Sequence, residues 1–194
     1  MAKKIIAALT DSTVFLREWV ANPQRTGSVA PSSPKLGAAM ARWLPRDPES
    51  YVLELGPGTG AVTEALIKRG LRENRLIAIE HNANLAKHLR KRFPKAHIIT
   101  GDAWQLNELL SDLPQPVNSV GAVISSLPLL NFPKEKAEDL ARKIREILDP
   151  RGRWVQYSYQ IGKDRTRGAD EFKMVASQIV WLNFPPARVS VFQK

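Results

Sequence analysis

A chain of 194 residues with 43% hydrophobic composition can bury one substantial core and has little room for a second domain. It contains no cysteine, which excludes disulfides, Cys-ligated zinc and iron–sulfur clusters, and His81, His88 and His97 form no recognised metal pattern, so no metal is expected. The net charge of +10, from 29 basic against 19 acidic residues, favours a polyanionic partner, nucleic acid or anionic membrane, over a neutral metabolite.

Residues 2–20 place Ile5, Leu9, Leu16 and Val20 on one helical stripe, widened by Ile6, Phe15 and Trp19, with Lys3, Lys4 and Arg17 toward the flanks. Such a helix either packs on its own domain or lies in a bilayer interface with its lysines near anionic headgroups. Residues 22–34, rich in Pro, Ser, Thr and Gly, suit a connecting loop that folds over a site as a lid, and 36–44 a short helix stopped at Pro45. The run Tyr51 to Leu55 suits a buried parallel strand. A helix carrying Val62, Leu66 and Ile67 follows and breaks at Gly70, and the chain then alternates: strand 76–80, helix 84–93, strands 97–100 and 120–124, helix 134–148, strand 154–159. Residues 172–182 and 188–192, separated by Asn-Phe-Pro-Pro, look like a closing antiparallel pair. This βαβ rhythm predicts an α/β domain over 49–194, with 1–48 a membrane- or substrate-facing extension of the same domain. No stretch is apolar for the roughly 18 residues that a span requires, and the N-terminus lacks the core of a secretory signal, so a cytoplasmic protein is expected.

Between the first strand and its helix the chain reads ELGPGTG, Glu54 to Gly60. Glycines at 56, 58 and 60 let the backbone turn tightly against a ligand, the arrangement an S-adenosylmethionine site requires. The spacing is G-x-G-x-G and position 61 is alanine, which weakly disfavours NAD, and no Lys-Ser/Thr ending follows for a phosphate-binding loop. In an open α/β sheet the ligand lies beyond the carboxyl ends of the central strands, so residues there should converge. Glu54 is the acidic partner for the amino acid moiety. Glu80, about 20 residues past the last glycine, is placed to accept two hydrogen bonds from a ribose diol. Asp102 can accept from the adenine amino group while Ala103 offers its N–H, and Ser125 opens the Ser-Ser-Leu-Pro-Leu segment where the transferred methyl should lie. His81 is either a helix-start surface residue or a general base.

ELGPGTG, the AIE ending in Glu80 and the GDA containing Asp102 resemble the class I S-adenosylmethionine-dependent methyltransferases across about 50–160. The resemblance implies a Rossmann-like fold: a mostly parallel seven-stranded sheet with an antiparallel closing strand and helices on both faces. Two subfamilies share this wording, the ribosomal RNA adenine dimethyltransferases and the bacterial phospholipid N-methyltransferases. Enzymes acting on an exocyclic base amine typically carry N-x-P-[YF] after strand four, whereas this chain has Ser126-Leu127-Pro128-Leu129, without the amide or the stacking ring. The segments 15–36, 125–133 and 181–189 are of the kinds found in the phospholipid group. That resemblance implies methylation of the phosphatidylethanolamine headgroup to mono- and dimethylated forms, and on further turnover phosphatidylcholine, with S-adenosylhomocysteine as the second product. It implies a peripheral protein on the inner face of the cytoplasmic membrane, held through helix 2–20, with neither nucleic acid nor an obligate protein partner. Arg25, Lys35, Arg153, Lys163 and Arg165 are candidates for the lipid phosphate. Tyr157 and Tyr159, of like parity on strand five, either orient the amine or belong to the strand core. An rRNA adenine methyltransferase and a non-catalytic cofactor-fold protein are the alternatives.

Overall fold

The computed structural model describes residues 33–115, 117–161 and 166–194. The expected helix 2–20, and nearly all of the loop 22–34, lie outside them. Seven strands, β1 (Val52–Leu55), β2 (Leu76–Glu80), β3 (His97–Thr100), β4 (Val120–Ser125), β5 (Leu148–Ser158), β6 (Lys173–Val180) and β7 (Ala187–Gln193), form one sheet in the order β3-β2-β1-β4-β5-β7-β6. The first five are mutually parallel, and β7 runs antiparallel to both β5 and β6. This is the Rossmann-like class I methyltransferase architecture: a mostly parallel sheet closed by an antiparallel strand, with helices on both faces.

Both faces are covered. On one, α1 (Pro34–Ala41) and α2 (Ala61–Lys68) bury Leu36, Met40, Val62 and Leu66 against Val52, Ile124, Val155 and Val189. Ser33 starts α1 by accepting the Leu36 N–H at 3.2 Å on its hydroxyl, and Pro34, which has no N–H to leave unpaired, occupies the first turn. Helix α1 therefore belongs to the core, beginning two residues before the predicted Leu36 and ending at Ala41. On the same side of the sheet, α3 (Ala83–Arg92) is capped by the Asn82 side chain and seats Ala86 and Leu89 with Phe93 on Ala78 and Ile98. On the other face, α4 (Leu106–Ser111) and α5 (Lys134–Ile147) cover Leu53, Leu55, Ile77, Val123 and the fully buried Trp154. The indole of Trp154 packs between Phe172 and Phe192, with ring centroids at 5.2 and 5.3 Å. No helix among the described residues is long and apolar enough to cross a membrane.

Candidate active site

β1, β2, β4 and β5 end at one edge of the sheet, where Leu55, Ser125 and Gln156 share a row. Beyond β1 the chain turns through Gly56, Gly58 and Gly60, all left-handed, with φ of 69°, 58° and 83°. Two of these glycines answer to different neighbours. A Cβ on Gly56 would lie 3.0 Å from Leu127 Cδ2, so its absence lets the segment after β4 close over the turn. A Cβ on Gly60, the N-cap of α2, would lie 2.8 Å from Leu89 Cδ2 and 3.1 Å from Phe93 Cε2, so its absence lets α3 pack in.

Two carboxylates stand at this turn. Glu80 is 5% exposed and accepts the Gly58 N–H at 2.9 Å on Oε2 and the Asn82 N–H at 2.8 Å on Oε1. A carboxylate has about four acceptor positions, so Glu80 fixes the glycine loop and keeps capacity on both oxygens for a diol. Glu54, fully buried, accepts the Thr63 hydroxyl at 2.7 Å on Oε2, and its Oε1 has no partner. Burial pushes its carboxyl up to about 7 against the opposing pull of the Thr63 hydroxyl, and the nearby Glu80 charge adds to the rise.

Asp102 is half-buried and accepts the Trp104 N–H at 3.0 Å on Oδ1, starting the short turn in which Ala103 is buried. Trp104 then forms a rim with Phe132, at 4.5 Å between centroids, and the Lys136 ammonium lies 4.4 Å from its ring. Ser125 is fully buried, and its hydroxyl accepts the Leu127 N–H at 3.4 Å, which shapes the turn into Ser126-Leu127-Pro128-Leu129. Gln156 braces that turn from β5: its Nε2 donates to the Leu127 and Tyr157 carbonyls at 2.8 and 2.7 Å. The buried Gln156 Oε1 and Ser126 hydroxyl have no partner. His81 is exposed.

The substrate-side candidates separate. Tyr157 is buried in the core cluster that holds Leu36 and Met40 of α1 and Val189 of β7, while Tyr159 reaches further out, its ring edge-on to Tyr157 at 5.5 Å. Burial pushes the Tyr159 hydroxyl up, against hydrogen bonds to Tyr157 and Asn183. Lys35 is exposed in the first turn of α1, close to the Ser33 N–H that donates to Asn183 Oδ1 at 3.0 Å. Arg153 stands apart from this group: its guanidinium lies 5.4 Å from the Trp43 ring, and it pairs with Ala122 and Gln193, five residues before the end of β5. Parity says which face a strand residue takes but not how far along the strand it sits, and that position removes Arg153 from the phosphate candidates. Arg25, Lys163 and Arg165 lie outside the described residues. Thr63, Asn82 and Gln156 were not expected from sequence. Asn82 had a legible signal, an Asx residue just before a helix, whereas Thr63 and Gln156 become partners only through packing.

The set fits S-adenosylmethionine: unsatisfied acceptor capacity on Glu80 for hydroxyls, a buried carboxylate oxygen on Glu54 without a donor, and a left-handed glycine turn tied to Glu80 through the Gly58 N–H. Among the described residues no group of acidic and histidine side chains could hold a metal ion.

Comparison with known proteins agrees. Residues 52–152 match the family described as "Methyltransferase domain". An "Ornithine lipid N-methyltransferase" from Singulisphaera acidiphila is 32% identical over 151 residues, covering 76% of this chain and 78% of that protein. A "Ribosomal RNA small subunit methyltransferase A" from Synechococcus sp. is 41% identical over only 64 residues, covering 31% of this chain and 22% of that protein. Among solved structures, TrmN from Thermus thermophilus superposes with a TM-score of 0.65 at 19% identity, over 83% of this chain and 48% of TrmN. A TehB-like S-adenosylmethionine-dependent methyltransferase from Corynebacterium glutamicum gives 0.58 at 17% identity, over 95% and 98%. With a family match across more than half the chain, set on a glycine turn and two carboxylates at the carboxyl edge of the sheet, the chain belongs to the methyltransferase-domain family and is a class I S-adenosylmethionine-dependent methyltransferase.

Proposed function

We propose that the chain N-methylates the amine of a phospholipid headgroup, phosphatidylethanolamine first, at the surface of an anionic membrane. The observation that carries this reading is the segment closing β4. Ser126-Leu127-Pro128-Leu129 presents aliphatic side chains where base-modifying relatives hold an amide and an aromatic ring, and Leu127 packs onto Gly56 of the glycine turn. The lipid-named relative supports it, since that likeness extends over 76% of the chain, whereas rRNA-named relatives match over shares such as 31%, 43% and 47%.

In this reading Gly58, Glu80, Asp102 and Ala103 hold the nucleoside part of the cofactor, and Glu54 lies toward its amino acid part. When bound, S-adenosylmethionine supplies an already activated methyl group. The protein's work is alignment and exclusion of water. Leu127 and the buried Leu129 keep water from the reacting amine, and Gln156 fixes the carbonyl of Leu127, so the segment keeps one shape as the headgroup arrives. An amine attacks only after losing a proton, which the headgroup ammonium gives up to surrounding water before it enters the site. The Ser126 hydroxyl and Gln156 Oε1 offer acceptors for its remaining N–H groups, orienting the lone pair. Lys35 and Arg25 serve the phosphodiester, and Tyr159 stands beside the ammonium that accumulates methyl groups.

A second lipid amine is favoured by a specific observation, the name of the relative: ornithine also carries a side-chain amine. The test follows labelled methyl from S-adenosylmethionine into vesicles of phosphatidylethanolamine with phosphatidylglycerol, into ornithine-lipid vesicles, and into undermethylated ribosomal RNA. Label in phosphatidylethanolamine supports the proposal and counts its methylation steps. Label only in ornithine lipid replaces the headgroup, and label in adenine overturns the lipid reading.

A further inference from the structure

The turn joining β6 to β7 inverts the usual distribution of polarity. Trp181, Leu182 and Phe184 are 66%, 76% and 72% exposed, while Asn183 in their midst is 2% exposed. The buried amide holds the turn in place: Oδ1 accepts the Ser33 N–H at 3.0 Å and Nδ2 donates to the Pro185 carbonyl at 2.6 Å. Three large apolar side chains are thus presented outward on a braced support. Ile161, also exposed, is held beside the start of β7 by Arg188, whose guanidinium donates to the Ile161 carbonyl at 2.6 Å and to the Ser177 hydroxyl at 2.9 Å. Large apolar side chains exposed together on one turn mark a place where a partner is bound.

Strand register fixes which way the turn faces. Ser158, the last residue of β5, pairs with Arg188 at the start of the antiparallel β7, and β5 runs parallel to β4 and β1. The exposed turn therefore lies at the carboxyl edge of the sheet, the same edge as the glycine turn and the segment after β4. Charge then selects the partner. Residues 172–194 contain no acidic residue; of their three basic ones Arg188 stands beside the turn, while Lys173 and Lys194 lie at the other end of β6 and β7, and the neighbouring first turn of α1 exposes Lys35 on a chain that carries +10 overall. A second copy of this chain would bring cations against cations, whereas an anionic bilayer offers complementary charge and an apolar interior. Trp, Leu and Phe above a cationic flank are the composition that partitions into the headgroup–acyl boundary.

We propose that Trp181, Leu182 and Phe184 form a wedge that inserts into an anionic phospholipid bilayer and seats the cofactor edge against it. The proposal rests on the lipid reading above and adds the surface by which the lipid is reached. It is tested on the full chain with equimolar phosphatidylglycerol and phosphatidylcholine vesicles, which contain no primary-amine acceptor, so the result is independent of headgroup identity. With acyl-chain bromination, fluorescence of the parent should be quenched, and Trp181→Phe should remove that quenched component. The triple change W181S/L182S/F184S should weaken vesicle partitioning about tenfold or more, as expected for withdrawing three large apolar side chains from the interface. It should leave S-adenosylmethionine binding by calorimetry and the thermal midpoint unchanged, since all three side chains are exposed. Three results overturn the wedge: vesicle-bound protein whose Trp181 is not quenched, partitioning insensitive to the triple change, or concentration-dependent dimerisation through these residues without vesicle binding. If the wedge inserts but no lipid is methylated in the acceptor assay, the headgroup reading fails while this one stands.

Discussion

Glu54 is a carboxyl group that the fold holds near neutrality of charge. Its pKa, raised by burial from 4.5 to about 7, means the native chain binds this proton more tightly than the unfolded chain does. Stability from this group is therefore fully present below about pH 4.5 and is lost as pH rises through about 7, by an amount on the order of 3 kcal/mol. Glu54→Gln keeps an oxygen for the Thr63 hydroxyl and cannot ionise. Urea unfolding of parent and variant at pH 5 and pH 8 should show the parent losing stability between the two and the variant losing less. Equal pH dependence would remove Glu54 as the source. Gln156 is a different kind of group, uncharged and mechanical. Gln156→Leu takes the Gln156 donor from the Leu127 and Tyr157 carbonyls and loosens the segment after β4, which the proposed reading sets against the acceptor. Turnover should fall about 10- to 100-fold, in the range that misplacement near a reacting centre causes, with S-adenosylmethionine affinity within about twofold of the parent. An equal loss of cofactor affinity would assign Gln156 to the cofactor side instead.

The elements were largely legible because hydrophobic runs and glycine stops act locally. Strands 76–80 and 97–100 have the predicted bounds, and α5 buries the expected Ala137, Leu140, Ile144 and Ile147. Helix α4, six residues long, was missed because so short a run repeats its apolar face too few times to register. Strand β5 starts at Leu148, six residues before the predicted 154, because an irregularity in its pairing with β4 absorbs Asp-Pro-Arg-Gly, which in sequence resembles a turn. The site divides the same way. The glycines and the three carboxylates stand at fixed offsets from strand ends, whereas Thr63 and Gln156 gain their roles from contacts across the fold that no spacing encodes. Gly60 illustrates the difference: the sequence offers it as a ligand glycine, and the structure gives it the packing of α3 on α2. Gly60→Ala should cost about 2–4 kcal/mol, from the left-handed backbone together with the crowding of Leu89 and Phe93. In a double-mutant cycle with Leu89→Ala, measured by denaturant unfolding, the two changes should cost less together than their sum. Strict additivity would leave backbone conformation as the whole cost.

The uneven charge of the chain gives its chemistry a direction. Residues 1–46 carry seven basic and two acidic side chains and 151–194 eight and three, so the two ends hold the entire surplus of +10. Through the bond from Ser33 to Asn183, part of each end meets at the carboxyl edge of the sheet. A catalyst seated on a surface by such cations should be governed by two variables that leave a soluble-substrate enzyme indifferent: the anionic fraction of the bilayer and the ionic strength. The Debye length falls from about 10 Å at 0.1 M salt to about 3 Å at 1 M, so the proposed attraction between exposed Lys35 and anionic headgroups should weaken as salt rises. In the proposed reading cofactor binding rests on the buried Glu54 and the nearly buried Glu80, whose charges salt screens far less. Methyl transfer to phosphatidylethanolamine in phosphatidylglycerol vesicles should therefore fall at least about tenfold between 0.1 and 1 M NaCl, while the S-adenosylmethionine affinity changes less than about threefold. Replacing phosphatidylglycerol by phosphatidylcholine at low salt should reproduce the loss. A transfer rate indifferent to both salt and anionic lipid would mean that the cations serve solubility, and that the headgroup reaches the site without electrostatic docking.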